Sequence, residues 1–147
     1  MQKITPFLWY DGKAEEAAEH YTSVFKNSRI LSRMGEPGKA MSVTVEIEGQ
    51  QLFLFNGGPM FQFTPAISLF VNCNTQEEID ALWNKILEAG GQEERCGWIK
   101  DKFGLSWQLV PPILSQLLQH PDREKANRVM QAMLRMKKLD IKALEEA

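Results

Sequence analysis

The spacing of apolar positions along this chain changes repeatedly, and each change marks an element. Ile4 to Tyr10 is mostly apolar and aromatic, as a buried strand should be, and Asp11-Gly12 breaks it. Ala14, Ala17, Ala18, Tyr21, Val24 and Phe25 then recur at helical spacing. Asn27-Ser28 ends that helix, and three strand-like runs follow: Arg29 to Met34, Met41 to Glu48, and Gln51 to Phe55. A Glu48-Gly49-Gln50 turn signal joins the last two.

The same order begins again at Ala66. A strand runs to Asn72, and Thr75 followed three residues later by Glu78 is a capping-box signature. The helix it opens places Ile79, Leu82, Trp83, Ile86 and Leu87 on one face, and Gly90-Gly91 stops it. Three short runs complete the set: Gln92 to Cys96, Trp98 to Lys100, and Leu105 to Val110. A shift of 62 residues lays Tyr21 on Trp83 and Val24 on Ile86, and a shift of 55 lays Gly49 on Gly104 and Phe53 on Gln108. The repeated order of five elements is the stronger sign of an internal duplication. One apolar sheet face per module needs a partner, within the chain or from another chain.

The tail is helical. Pro111-Pro112 closes the last strand, Ile113 to Leu118 is a short helical run, and Pro121-Asp122 opens a helix bearing Val129, Met130, Met133, Leu134 and Met136. At that spacing the methionines read as core or dimer packing, so the tail is expected across the sheet or a partner subunit. The organisation is therefore one domain over residues 1–147: module one at 1–58, a linker at 59–65, module two at 66–110 and a helical tail at 111–147.

Composition narrows the partners. A net charge of -2 from 17 basic and 19 acidic residues, mixed along the chain, gives no single-signed field for nucleic acid or an anionic membrane. The apolar stretches fall short of the roughly 20 residues a membrane span needs, and MQKITPFLWYDG does not read as a secretory signal. A cytoplasmic location is expected. Cys73 and Cys96, without C-x-x-C spacing, read as reduced packing residues.

Alternation predicts which side chains line a cavity. Thr5, Phe7 and Trp9 share one side of the first strand, with Phe53 on the fourth; Ser68, Phe70 and Asn72 share one side of the fifth strand; Ser106 and Gln108 share one side of the last. Aromatic rings with scattered hydrogen-bonding groups suit a small-molecule pocket. His20 and His120 read as solvated, Lys100-Asp101-Lys102 as an exposed hairpin loop, and Glu46 and Glu48 as solvent-facing residues of one strand face. Gly57-Gly58 reads as a turn rather than a ligand cradle, and neither glycine pair forms a nucleotide-binding pattern.

Two modules of strand, helix and three strands resemble the vicinal oxygen chelate superfamily, to which the glyoxalases and extradiol dioxygenases belong. The stretches ITPFLWYDGKAEEAAEHYTSVF, LFLFNGGPMF, AISLFVN, CGWIKDKFGLSWQLVP and KANRVMQAMLRMKKLDIKALEEA are similar to its PhnB-like branch, often labelled as a 3-demethylubiquinone-9 3-methyltransferase domain. The resemblance implies an α+β fold, two βαβββ modules forming a glyoxalase-like half-barrel pair, with C-terminal helices added. It also implies a homodimer.

In the enzymes of that superfamily, the first and fourth strands of each module supply His or Glu ligands to a divalent metal. The corresponding positions here are Thr5 and Phe53 in module one and Ala66 and Gln108 in module two. A phenyl ring, a methyl group, a hydroxyl and an amide are not the donors such an ion needs. The expectation is no metal, no cofactor and no assignable catalytic residue, in a protein that binds an unidentified small molecule. The alternative is a metal-dependent lyase, isomerase or dioxygenase. Methyl transfer is a distant third, because Asp11-Gly12-Lys13 is no glycine-rich strand-to-helix turn of the kind that holds a nucleoside donor.

Overall fold

A computed structural model describes residues 2–147, which divide between Phe63 and Thr64 into two compact units. The first contains β1 (Phe7–Tyr10), α1 (Ala14–Val24), β2 (Ser28–Glu36), β3 (Lys39–Ile47) and β4 (Gln50–Asn56). Its sheet runs β1-β4-β3-β2, with β1 parallel to β4 and the other pairs antiparallel. Leu8, Tyr10, Val43, Val45, Ile47, Leu52 and Leu54 are buried, as are Ala14, Ala17, Ala18, Tyr21 and Val24 of the helix packed on the sheet. Each large apolar side chain removed from water in this way contributes about 1.5–3 kcal/mol. Period-two alternation turns Phe7, Trp9, Phe53 and Phe55 to the opposite face.

The sheet also completes the helix start. Lys13, at the cap position of α1, makes no side-chain capping bond. Asn56 of β4 supplies the acceptor instead: its Oδ1 takes the Ala14 N–H at 2.9 Å while its Nδ2 donates to the Ala40 carbonyl at 2.9 Å. Glu15 Oε1 accepts the Ala40 N–H at 2.8 Å. One orphan N–H of the first helical turn is thereby satisfied, and α1 is locked in register against β3 and β4.

Three boundaries differ from the sequence pattern. β1 starts at Phe7 rather than Ile4; Pro6 has no N–H to offer a ladder, although its carbonyl accepts the Phe53 N–H at 3.0 Å. β2 and β3 run on to Glu36 and Lys39, because Gly35 (φ +111°) and Gly38 (φ +77°) form a tight reversal where the pattern suggested a loop. β2 is an outer strand, nearly all exposed, and its ladder to β3 shifts register at Ile30/Ser32 and Met34/Gly35.

The second unit repeats the plan with β5 (Ser68–Asn72), α2 (Gln76–Glu88), β6 (Gln92–Glu93), β7 (Trp98–Lys100) and β8 (Ser106–Val110). Its sheet order is β5-β8-β7-β6, with β5 parallel to β8. Phe70 lies opposite Gln108 just as Phe7 lies opposite Phe53. Thr75 Oγ1 accepts the Glu78 N–H at 3.1 Å, the cap that the sequence signature requires. Ile79, Leu82, Trp83 and Ile86 are buried beneath it, with Ile99, Trp107 and Leu109 of the sheet. β6 stops at Glu93 instead of reaching Cys96, since Cys96 (φ +61°) and Gly97 (φ +84°) turn the chain. The expected α+β architecture of two βαβββ repeats is present.

The tail forms α3 (Pro112–Leu118), α4 (Arg123–Leu134) and α5 (Ile141–Glu146), the last of which the pattern did not mark. It packs within its own unit, around a core of Val110, Leu114, Val129, Leu139 and Leu144, with Met133 and Met136 against it. Met130 and Leu134 remain exposed. Gln76 ties the tail to α2, donating to the Leu139 carbonyl at 3.0 Å and accepting the Ile141 N–H at 2.8 Å, beside a Lys138–Asp80 ion pair at 2.8 Å. Lys138 and then Gln76 hold the Asp80 carboxyl below its usual range.

Candidate functional site

The aromatic face of the first sheet is built from adjacent strands. Phe7 meets Phe53 edge-on with ring centres 6.2 Å apart and Phe55 at 5.2 Å; Trp9 meets Phe55 at 5.2 Å and Phe61 at 5.0 Å. Phe7 is 58% exposed and Phe53 37%, so the rings form an open surface and not a closed core. Beside them lies an open groove of about 540 Å³, lined by Gln2, Lys3, Thr5, Phe7, Gln51 and Phe53. Thr5, Phe7 and Phe53 of the sequence-derived set fall together here. Gln2, Lys3 and Gln51 were not anticipated; Gln51 shares the alternation of Phe53, but nothing in the pattern marks the two residues ahead of the strand.

Gln2 closes the end of this groove by hydrogen bonds. Its Nε2 donates to the carbonyls of Ile4 and Gln51, both at 3.0 Å, and to Thr5 Oγ1 at 3.3 Å, while its Oε1 accepts the Gln51 N–H at 3.1 Å. At the other end of β1, the loop after β4 folds over Trp9, whose Nε1 donates to the Gly58 carbonyl at 2.9 Å. A Cβ at Gly57 would stand 2.3 Å from the Trp9 ring, so the glycine is required by close approach. Gly57→Ala is expected to displace that ring and destabilise the protein by about 2–3 kcal/mol, from overpacking and the strained indole bond. Urea unfolding with the indole N–H resonance as a second readout measures it, and an unmoved Trp9 resonance would refute the contact.

The second sheet carries the other five positions. Ser68, Phe70 and Asn72 pair in register with Ser106, Gln108 and Val110. Gln108 Nε2 donates to Ser68 Oγ at 2.9 Å, so the amide in the strand has a side-chain partner. Ser106 is fully buried, and its Oγ has no hydrogen-bond partner among the described residues, which costs about 1–3 kcal/mol. Phe70 and Asn72 are exposed.

Several candidate groups have structural roles instead. Asp101 is buried, not part of an exposed loop: Oδ1 accepts the N–H groups of Phe103 at 2.9 Å and Leu105 at 3.0 Å, and Oδ2 accepts Trp107 Nε1 at 2.9 Å. A carboxylate engaged in this way organises the β7–β8 turn and is not poised as a base. Glu46 and Glu48 do not share a strand face. Glu46 binds Arg29 Nε at 3.2 Å, whereas Glu48 sits in the turn at φ +51° with Oε1 on the Asn27 N–H. His20 is half-buried against the Tyr21 ring rather than solvated, while His120 is exposed and its Nδ1 accepts the Asp122 N–H. Burial, and then the charge of Glu78, push the Cys73 thiol up to about 12, so it stays protonated and is no nucleophile.

The positions that carry metal ligands in the superfamily's enzymes hold weak donors or none here. In the first unit, Thr5 offers a hydroxyl that already accepts from Gln2, and Phe53 offers a ring. In the second, Ala66 offers a methyl group and Gln108 an amide engaged with Ser68. Among the described residues no three His, Cys, Asp or Glu side chains are grouped to hold a cation. The residues present do not fit a resident divalent ion.

Solved structures share this architecture. A glyoxalase/bleomycin resistance protein/dioxygenase domain from Frankia matches at 16% identity, covering 76% of this chain and 98% of that one, with a TM-score of 0.54. The fosfomycin resistance protein FosX from Listeria monocytogenes, solved with Mn(II) and sulfate, matches at 12% identity, 81% and 98% coverage, and a TM-score of 0.58. The fold is thus the glyoxalase-like one. A PhnB protein of Bacillus cereus, whose description carries a 3-demethylubiquinone-9 3-methyltransferase name, is 39% identical over 75% of this chain and 99% of its own, with a TM-score of 0.67. The family model of 3-demethylubiquinone-9 3-methyltransferase matches residues 2–110, and the chain belongs to that PhnB-like family. The match ends where β8 ends. No curated protein matches the chain.

Proposed function

We propose that this chain is a metal-independent small-molecule binding protein of the PhnB-like family, acting as a homodimer. The observation that carries the reading is the aromatic face of Phe7, Trp9, Phe53 and Phe55, with Phe7 and Phe53 exposed, beside an open groove of about 540 Å³ whose lining includes Thr5 and Phe53, two of the positions that correspond to metal ligands in the superfamily's enzymes. A groove of that size suits a small ligand, and aromatic walls with a few polar groups are the usual lining. On this reading Ser68, Phe70, Asn72, Ser106 and Gln108 give the second sheet a matching polar and aromatic face. The methyltransferase in the family's name finds no support at the β1–α1 junction, which holds Gly12 alone.

Native mass spectrometry of the untreated protein, followed by calorimetric titration with Mn(II), tests the proposal. The expected result is a dimer mass without a stoichiometric metal, together with no saturable heat at one ion per chain. Tight stoichiometric Mn(II) binding would overturn metal independence, and a strictly monomeric mass would overturn the dimer.

A further inference from the structure

We propose that the groove beside β1 takes a flat apolar ligand bearing one anionic group, with Lys3 as its charge partner. The inference rests on the small-molecule reading above and names the chemistry of the ligand. The groove's polar groups divide into two kinds. The Gln2 amide is occupied, bonded in both directions to the Gln51 backbone, and so pins the first residues of the chain to β4. Its capacity is spent on structure, and the effect is to set Lys3 at the rim, with the uncharged Gln51 side chain also in the lining.

Lys3 is the charged residue of the lining, and among the described residues no carboxylate pairs with it. Glu46, directly across the ladder from Gln51, is already paired with Arg29 at 3.2 Å. The groove therefore has a cation at its edge with no counterion, and a ligand anion gains where a ligand cation is repelled. Thr5 adds to this: its Oγ1 accepts from Gln2 and keeps its own proton to donate, and a hydroxyl donating to an oxyanion makes a charge-assisted bond.

The remaining lining is Phe7 and Phe53, whose rings meet at an interplanar angle of 69° with their faces in part open to solvent. A planar ligand ring stacks on such a pair at little entropic cost. Ring and anion together describe an aromatic carboxylate or a compound of that form.

The test uses the full chain labelled with ¹⁵N, titrated at low ionic strength with benzoate and, in parallel, with benzamide, its uncharged counterpart of the same shape. Benzoate is expected to shift the amide resonances of Phe7, Gln51 and Phe53, and to bind more tightly than benzamide. Lys3→Gln, an exposed substitution that leaves the Gln2 bonds intact, is expected to weaken benzoate on the order of threefold to fivefold and to leave benzamide unchanged. Added salt is expected to reproduce that loss in the wild type. If both probes shift these resonances equally and Lys3→Gln has no effect, the anion preference is wrong while the small-molecule reading stands. If neither probe perturbs these resonances, the groove is not a ligand site and both are overturned.

Discussion

Asp101→Ala is expected to destabilise the protein by about 3–5 kcal/mol, the largest effect of any single polar substitution here. Three donors converge on this carboxylate: the Phe103 and Leu105 N–H groups and the Trp107 indole. Hydrogen bonds to an ionised group are worth about 1.5–3 kcal/mol each, and a buried donor left without a partner costs about 1–3 kcal/mol. Leu105 and Trp107 are themselves buried, so water cannot replace what is lost. Asp101→Asn separates the contributions. Its carbonyl keeps the two loop bonds at Oδ1, but its NH₂ then confronts the Trp107 N–H, donor against donor, and about half of the loss is expected. Urea unfolding of the three proteins decides it; wild-type stability in Asp101→Ala would show that the turn holds without its carboxylate. The melting temperature of the alanine variant is expected to fall by about 10 °C.

Leu139→Ala is expected to cost about 3–4 kcal/mol. The side chain is fully buried at the centre of the tail's core, against Val110, Leu114, Val129 and Leu144. A Cβ at Gly97 would come within 2.9 Å of it, so the strand side of the contact is already closed. A leucine truncated in a core that cannot collapse loses transfer free energy and leaves a cavity, about 2–5 kcal/mol in all. The anchoring bonds of Gln76 involve the backbone at 139 and 141 and survive the substitution, which isolates the packing contribution. Denaturant midpoints give the magnitude. Limited proteolysis gives the location, with cleavage after residue 111 rising in the variant. A loss below about 1 kcal/mol would mean that the tail adds little to the second unit.

The fold was legible because burial imposes period. Tyr21 and Trp83 occupy corresponding helix positions and are both buried, and Gly49 and Gly104 sit at corresponding hairpin turns with φ of +83° and +91°. Such positions carry the duplication in their residue types. The outer strand β2 was harder to bound, since Ser28 to Glu36 is mostly exposed and its pairing depends on backbone bonds and glycine turns. Asp101 was misread because its partners are an indole two strand positions beyond the turn and two backbone N–H groups, none of which leaves a mark in composition. Half of the groove was equally invisible. Phe7 and Phe53 follow from alternation, whereas Lys3 reaches the rim only because Gln2 bridges to Gln51.

The irregular outer edge of the first sheet bears on how the protein behaves at high concentration. A long exposed strand with open backbone groups is a template for runaway association with other chains. Here two register shifts interrupt the ladder, and the Arg29–Glu46 and Arg33–Glu15 ion pairs place bulky charged side chains along the rim. An incoming strand finds no long straight run to zip onto, and must strip water from charged side chains to approach. That edge discourages fibre growth while leaving the aromatic face open.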